Sequence, residues 1–127
     1  VAEKSMVPVG AGENHYMRWG FRELCERRAV DYLQPDVCRC GGVTEFMKVA
    51  HLADAFNISL SSHLVHEVSI SLVGATPRGY MVEFMELIPA GSLTREFVAK
   101  DGMMRVPDAS GHGVEFTPEA IKKFSSS

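Results

Sequence analysis

The sequence predicts an α/β protein in which parallel strands alternate with helices, as in a (β/α) barrel of the TIM type. Short apolar runs that suit β-strands recur along the chain, and helical periodicity fills the segments between them. Each run ends at or near an ionisable side chain: Glu13, Asp36, His63 and Glu83. Because such a barrel carries its active site at the carboxyl ends of its strands, these residues predict a site at one end of the sheet.

The strands and helices follow one another in regular order. The apolar runs are Val7–Gly12, Asp31–Pro35, Ile58–Ser62 and Tyr80–Val82, and we expect the fourth strand to continue to Met85. The first and third helices are predicted over Met17–Val30 and His66–Ala75. The second helix is predicted to begin at Thr44 as N-cap and to end at Asn57 in a left-handed conformation.

After Pro89 the pattern changes. Phe97–Val106 predicts a hairpin around Asp101-Gly102, and Thr117-Pro118 predicts the start of a short helix. The last residues, Ser125–Ser127, are expected to form a loose end. We therefore divide the chain into residues 1–89, half of the barrel, and residues 90–127, a C-terminal tail. A complete barrel needs roughly 250 residues, so 127 residues are expected to supply about half of one.

Composition excludes several classes of function. The net charge of −3 and the pI near 5.9 argue against a nucleic-acid-binding protein. No apolar stretch approaches the ~20 residues that a membrane span needs. The first residues do not resemble a signal peptide, and three cysteines, an odd number, suit a reducing compartment. We therefore expect a cytoplasmic protein.

The ionisable residues at the strand ends predict acid/base chemistry. Asp36 and His63 end consecutive strands, so their side chains are expected to meet. An Asp bonded to one imidazole nitrogen fixes the tautomer and makes the other nitrogen a better base. Of Glu13 and Glu83, one could bind a hard divalent cation, and the other, if protonated, could donate to a substrate oxyanion. His15 and Arg39 lie in neighbouring loops and could contact substrate; a solvated loop position is the alternative for each.

The same residues resemble the enolase superfamily, and most closely its mandelate racemase-like subgroup, which includes acid-sugar dehydratases. The resemblance rests on the order and spacing of Gly12-Glu13-Asn14, Gln34-Pro35-Asp36, Arg39-Cys40-Gly41-Gly42, Ser62-His63-Leu64 and Val82-Glu83. It implies a Mg²⁺ ligand at Glu13, an Asp36–His63 dyad with His63 as acid/base, and a role for Glu83 in binding the substrate carboxylate. It also implies that the tail packs on a capping domain.

The resemblance implies a Mg²⁺-dependent enzyme that removes the α-proton of a carboxylate substrate, forming an enediolate. Dehydration of a sugar acid to a 2-keto-3-deoxy acid is the favoured activity, and racemisation or epimerisation of a 2-hydroxy acid is the alternative. The family's other two metal carboxylates and its Lys-x-Lys base come from earlier strands. The resemblance therefore implies that the chain is the C-terminal half of the barrel. Alone it is expected to be catalytically silent, as a truncated remnant or as part of a longer enzyme that forms a homo-oligomer.

Overall fold

A computed structural model of the protein describes residues 1–125. Ser126 and Ser127, which belong to the predicted loose end, lie outside the described residues. Strands and helices alternate through the first two thirds of the chain, and a hairpin and a short helix follow. In chain order the elements are β1 Gly10–Ala11, α1 Met17–Glu26, β2 Tyr32–Leu33, α2 Gly42–Ala55, β3 Ser59–Ser62, α3 His66–Gly74, β4 Gly79–Val82, β5 Ala99–Lys100, β6 Met103–Met104 and α4 Pro118–Phe124.

The four strands β1 to β4 form one parallel sheet in the order of the sequence. Each strand therefore pairs with the next along the chain, with Leu33 opposite Leu60 and Ser62 opposite Val82 in register. Sequential order is the order of a (β/α) barrel, whereas a doubly wound sheet reverses direction at a switch point. The predicted α/β class with barrel-like connectivity is confirmed.

Several element boundaries were predicted incorrectly. Strands β1 to β3 are shorter than their apolar runs. Strand β4 begins at Gly79, one residue before its run, and ends at Val82 rather than Met85. Helix α1 ends at Glu26, not Val30, and α3 ends at Gly74. Helix α2 begins at Gly42, and its N-cap Gly41 lies three residues before the predicted N-cap Thr44. The φ of Gly41 is +113°, a conformation that a residue with a Cβ rarely adopts, so the glycine determines where this helix starts.

The core lies between the sheet and the helices. Phe21 and Cys25 of α1 and Phe46 and Ala50 of α2 are buried, and they pack with Leu33 of β2. Burying one large apolar side chain contributes about 1.5–3 kcal/mol, so this cluster holds α1 and α2 against the sheet. In α2 the buried face also includes Val49, whereas Val43 is exposed.

The tail contains the predicted hairpin and helix. Strands β5 and β6 pair on either side of Asp101 and Gly102, which both have positive φ, as a type I′ turn requires. Thr117 caps α4, and its Oγ1 accepts a hydrogen bond from Ala120 N at 3.2 Å. No helix among the described residues is long and apolar enough to cross a membrane.

Candidate active site

Asp36 and His63 meet at the carboxyl ends of β2 and β3. His63 N donates to Pro35 O at 3.1 Å, and an isolated parallel bridge pairs Asp36 with His63. This backbone pairing places their side chains next to each other. The distance from Asp36 Oδ2 to His63 Nδ1 is 2.9 Å, within hydrogen-bond range. The pairing expected from consecutive strand ends is therefore present in the structure.

The Asp36 carboxylate is held in one orientation. Its other oxygen, Oδ1, accepts backbone hydrogen bonds from Cys38 N at 2.8 Å and Arg39 N at 3.1 Å. The residue is 5% exposed, so the surrounding protein supplies all three of these partners. Because a carboxylate only accepts, the proton of the Asp36–His63 bond lies on Nδ1, which leaves Nε2 free to act as a base.

Glu83 lies on the other side of the His63 ring. It directly follows β4, and its Oε2 is 4.0 Å from His63 Nε2. Leu64 N donates to the same oxygen at 2.9 Å. Leu64 and Val65 both have positive φ, which is strained for these side chains and places the Leu64 N–H towards Glu83. The three predicted acid/base residues thus form one row in the order Asp36, His63, Glu83.

Glu13 follows β1, the strand next to β2 in the sheet. Its two oxygens accept hydrogen bonds from Gly12 N and Asn14 Nδ2, both at 3.1 Å. Asn14 Oδ1 in turn accepts a 2.6 Å hydrogen bond from Arg39 Nη1. Arg39, predicted to contact substrate, is exposed, and its guanidinium contacts Asn14. His15 is half-buried and its ring lies edge-on to Phe21, with ring centres 5.4 Å apart.

A family described as enolase C-terminal domain-like matches residues 1–120. The chain belongs to this family. The resemblance of the sequence motifs to the enolase superfamily is thereby confirmed, and the four strand-end residues occupy the carboxyl end of an enolase-type sheet.

Individual relatives include acid-sugar dehydratases. An L-rhamnonate dehydratase from Saccharopolyspora erythraea is 36% identical over 124 residues, which cover 91% of this chain and 32% of the relative. The structure of an L-talarate dehydratase from Polaromonas sp. JS666 complexed with Mg and L-glucarate superposes with a TM-score of 0.87 at 31% identity, covering 95% of this chain and 34% of that one.

A second similar structure, an enolase from Bradyrhizobium complexed with magnesium and mandelic acid, has a TM-score of 0.85 at 32% identity, and the match covers 98% of this chain and 34% of that chain. The chain therefore spans about a third of the length of each of these relatives. Magnesium is bound in both of the solved relatives, and their carboxylate ligands are small molecules.

The residues of this enolase-family chain fit a magnesium site only in part. Glu13 offers the hard carboxylate oxygens that Mg²⁺ prefers, and its side chain is half-buried at the carboxyl end of β1. No group of three or more His, Cys, Asp or Glu side chains within residues 1–125 could hold a metal ion. One carboxylate fills few of the positions of an octahedral ion, so Glu13 alone would hold Mg²⁺ only weakly.

The thiols near the dyad are neutral at physiological pH. Burial, followed by the nearby Asp36 and Glu45 charges, raises the pKa of Cys40 to about 11. Burial and the Asp36 carboxylate also raise the pKa of Cys38. Since thiolates, not thiols, act as nucleophiles and metal ligands, the two cysteines do not compete with His63 as the reactive group.

Four supporting hydrogen bonds were not predicted from the sequence. The bonds from backbone amides to Asp36 could have been predicted, because an Asp side chain commonly accepts a hydrogen bond from the amide two residues later. The Leu64 amide on Glu83 depends on an uncommon backbone conformation that no local residue type signals. The Arg39–Asn14 contact joins two separate loops and has no signal in a single sequence.

Proposed function

We propose that this chain supplies the acid/base half of the active site of a Mg²⁺-dependent sugar-acid dehydratase, which converts its substrate to a 2-keto-3-deoxy acid. The observation that carries the proposal is the 2.9 Å contact between Asp36 Oδ2 and His63 Nδ1 at adjacent strand ends. Support comes from relatives named as dehydratases of L-rhamnonate and L-talarate. Because the chain spans about a third of these relatives, the activity belongs to the whole enzyme.

His63 is the proposed acid/base. Its Nε2 is free to take or give a proton, since Nδ1 is occupied by Asp36. As an imidazolium forms, the buried Asp36 carboxylate stabilises the positive charge and keeps the ring in place. A dehydration has two steps in which His63 can act. As a base it can remove the α-proton, and as an acid it can give a proton to the departing β-hydroxyl.

Glu83 is proposed to bind the substrate carboxylate as it takes on enediolate character. In its protonated form Glu83 donates a hydrogen bond to a developing oxyanion, as other carboxylic acids do in enzyme sites. The 2.9 Å bond from Leu64 N fixes one oxygen and leaves the other to face the substrate. Preorganised donors of this kind contribute strongly to catalysis, because the negative charge develops only in the transition state.

Glu13 is the proposed metal ligand of this chain, with the remaining ligands supplied from elsewhere in the enzyme. When bound, Mg²⁺ would polarise the substrate carboxylate and lower the barrier to α-proton removal. We keep His15 and Arg39 as proposed substrate-contacting positions, since both lie in the loops that follow β1 and β2. The hydrogen bond from Arg39 to Asn14 suggests a second role for Arg39, which is tested separately.

The organisation of the whole enzyme is proposed from the same evidence. Residues 1–89 form the barrel half and residues 90–127 the tail that packs on a capping domain. We propose that the whole enzyme is a homo-oligomer of the cytoplasm. Its proposed ligand is a small carboxylate, either a sugar acid or a 2-hydroxy acid, and it is not expected to bind nucleic acid or membranes. The three free cysteines suit that compartment.

Racemisation of a 2-hydroxy acid is the second candidate, favoured by the relative whose structure holds mandelic acid. The full-length polypeptide, supplied with Mg²⁺, should be offered a panel of sugar acids and 2-hydroxy acids. Release of a 2-keto acid supports the dehydratase, and inversion with solvent hydrogen at the α-carbon supports the racemase. Neither product from any member of the panel would contradict both and favour a silent remnant.

A further inference from the structure

A single arginine is connected to both functional carboxylates. The main-chain N–H of Arg39 donates to Asp36 Oδ1 at 3.1 Å. Its guanidinium donates to Asn14 Oδ1 at 2.6 Å, and Asn14 Nδ2 donates to Glu13 Oε1 at 3.1 Å. Three consecutive hydrogen bonds therefore join the Asp36 carboxylate to the Glu13 carboxylate across the loops that follow β1 and β2.

The orientation of the Asn14 amide is determined by its two neighbours. A guanidinium only donates and a carboxylate only accepts, so the amide oxygen must face Arg39 and the amide nitrogen must face Glu13. Rotating the amide by 180° would place its NH₂ group against the Arg39 guanidinium and its oxygen against the Glu13 carboxylate. Donor would then face donor, and acceptor would face acceptor. Arg39 thus selects the Asn14 rotamer that donates to Glu13.

We propose that Arg39 and Asn14 are positioning residues, which hold the Glu13 carboxylate in line with the Asp36–His63 pair. The proposal rests on the proposed function, since it gives Arg39 a purpose only if Glu13 binds the metal. Among residues 1–125, Glu13 has one other hydrogen-bond partner, Gly12 N at 3.1 Å, so without Asn14 only one of its oxygens would be held. A metal ligand that is not held in place binds its ion more weakly, as the loss of such supporting partners generally shows.

The positioning role and direct contact with substrate make opposite predictions. If Arg39 acts through Asn14, the Asn14→Ala and Arg39→Ala variants should have the same effect, and the double variant should be no worse than Asn14→Ala alone. If Arg39 binds the substrate carboxylate, the loss caused by Arg39→Ala should persist in the Asn14→Ala background.

The experiment measures Mn²⁺ affinity by the signal of the free ion, together with kcat and KM, in the full-length polypeptide. We expect each single variant to weaken Mn²⁺ binding about tenfold and to lower kcat, with KM for the carboxylate unchanged within about twofold. Arg39→Lys should recover most of the affinity, because an ammonium still donates to the Asn14 oxygen. Arg22→Ala is the matched control, since Arg22 pairs with Glu26 on α1 and its loss changes the net charge equally.

A spectroscopic reading separates failure of this inference from failure of the proposed function. In the wild-type chain the Asn14 side-chain NH₂ group should give ¹H–¹⁵N signals shifted by its hydrogen-bonded surroundings. Arg39→Ala should move those signals, and Arg22→Ala should leave them in place, whether or not any substrate is turned over. Unmoved Asn14 signals in Arg39→Ala, additive losses in the double variant, or a rise in KM confined to Arg39→Ala would each overturn the positioning role. Lack of turnover with moved Asn14 signals would contradict the proposed function alone.

Discussion

The Asp36→Asn substitution tests the Asp36–His63 pair with little change in shape. The Asn oxygen can keep both backbone hydrogen bonds, from Cys38 N at 2.8 Å and Arg39 N at 3.1 Å. Its NH₂ group then faces His63 Nδ1 at the 2.9 Å position. In the reverse orientation the NH₂ group would face the Cys38 and Arg39 N–H donors, and both of these hydrogen bonds would be lost. Each is worth about 0.5–1.5 kcal/mol, so the first orientation is favoured.

The consequence is a change of tautomer. Nδ1 must now accept a hydrogen bond, so the ring proton moves to Nε2, and the nitrogen that faces the substrate can no longer accept a proton. The same change in a Ser-His-Asp triad lowers kcat about 10⁴-fold with the geometry intact. We expect a loss of about that size, which corresponds to an increase of about 5.5 kcal/mol in the barrier.

Two measurements check this prediction. Exchange of the substrate α-hydrogen in D₂O, followed by proton NMR on the full-length polypeptide, gives the rate. Long-range ¹H–¹⁵N spectra of the His63 ring identify the protonated nitrogen. The control is an unchanged unfolding midpoint, which shows that the fold has survived. If Nε2 stays unprotonated, or if the exchange rate falls by less than about tenfold, the reasoning about the dyad is wrong.

The remaining predictions concern stability, measured by denaturant unfolding. Gly79→Ala should lower the free energy of unfolding by at least about 3 kcal/mol, because a Cβ at residue 79 would lie 2.0 Å from the backbone oxygen of Val73 in α3. A decrease of less than about 1 kcal/mol would contradict this. Burial raises the pKa of Cys25 and Cys40 from 9.0 to about 11, so the stability that depends on neutral thiols should be complete below pH 9. It should fall by up to about 3 kcal/mol for each thiol as the pH rises through 11, and a flat profile would refute it. Lys48 lowers the pKa of Glu45, so Glu45→Gln should destabilise at pH 7, and the difference from wild type should shrink in acid as the wild-type carboxyl protonates.

The row of acid/base residues was predictable because it depends on regular structure. Parallel strands of a barrel end on the same side, so Asp36 and His63, each at the end of an apolar run, had to lie close together. Glu83 followed for the same reason, and its approach to His63 agrees with the register of Ser62 opposite Val82.

What could not be predicted depends on loop conformation. The left-handed Leu64 and Val65, which place an amide on Glu83, run against the preference of both residue types. Gly41 starts α2 earlier than Thr44 would, since two glycines in succession accept positive φ and allow the helix to begin at once. These backbone conformations depend on how the loops pack against the sheet, and the conformational preferences of single residues do not predict that packing.

The central claim is that His63 moves a proton at the α-carbon of a carboxylate substrate. The most direct test is deuterium incorporation at that carbon in D₂O with Mg²⁺, comparing the full-length wild-type polypeptide with His63→Asn, and with His51→Asn as a control on an exposed helical histidine. We predict that a sugar acid or 2-hydroxy acid exchanges its α-hydrogen in the wild type and in the control, and that His63→Asn abolishes this exchange. A His63→Asn variant that exchanges the α-hydrogen at the wild-type rate would contradict the account.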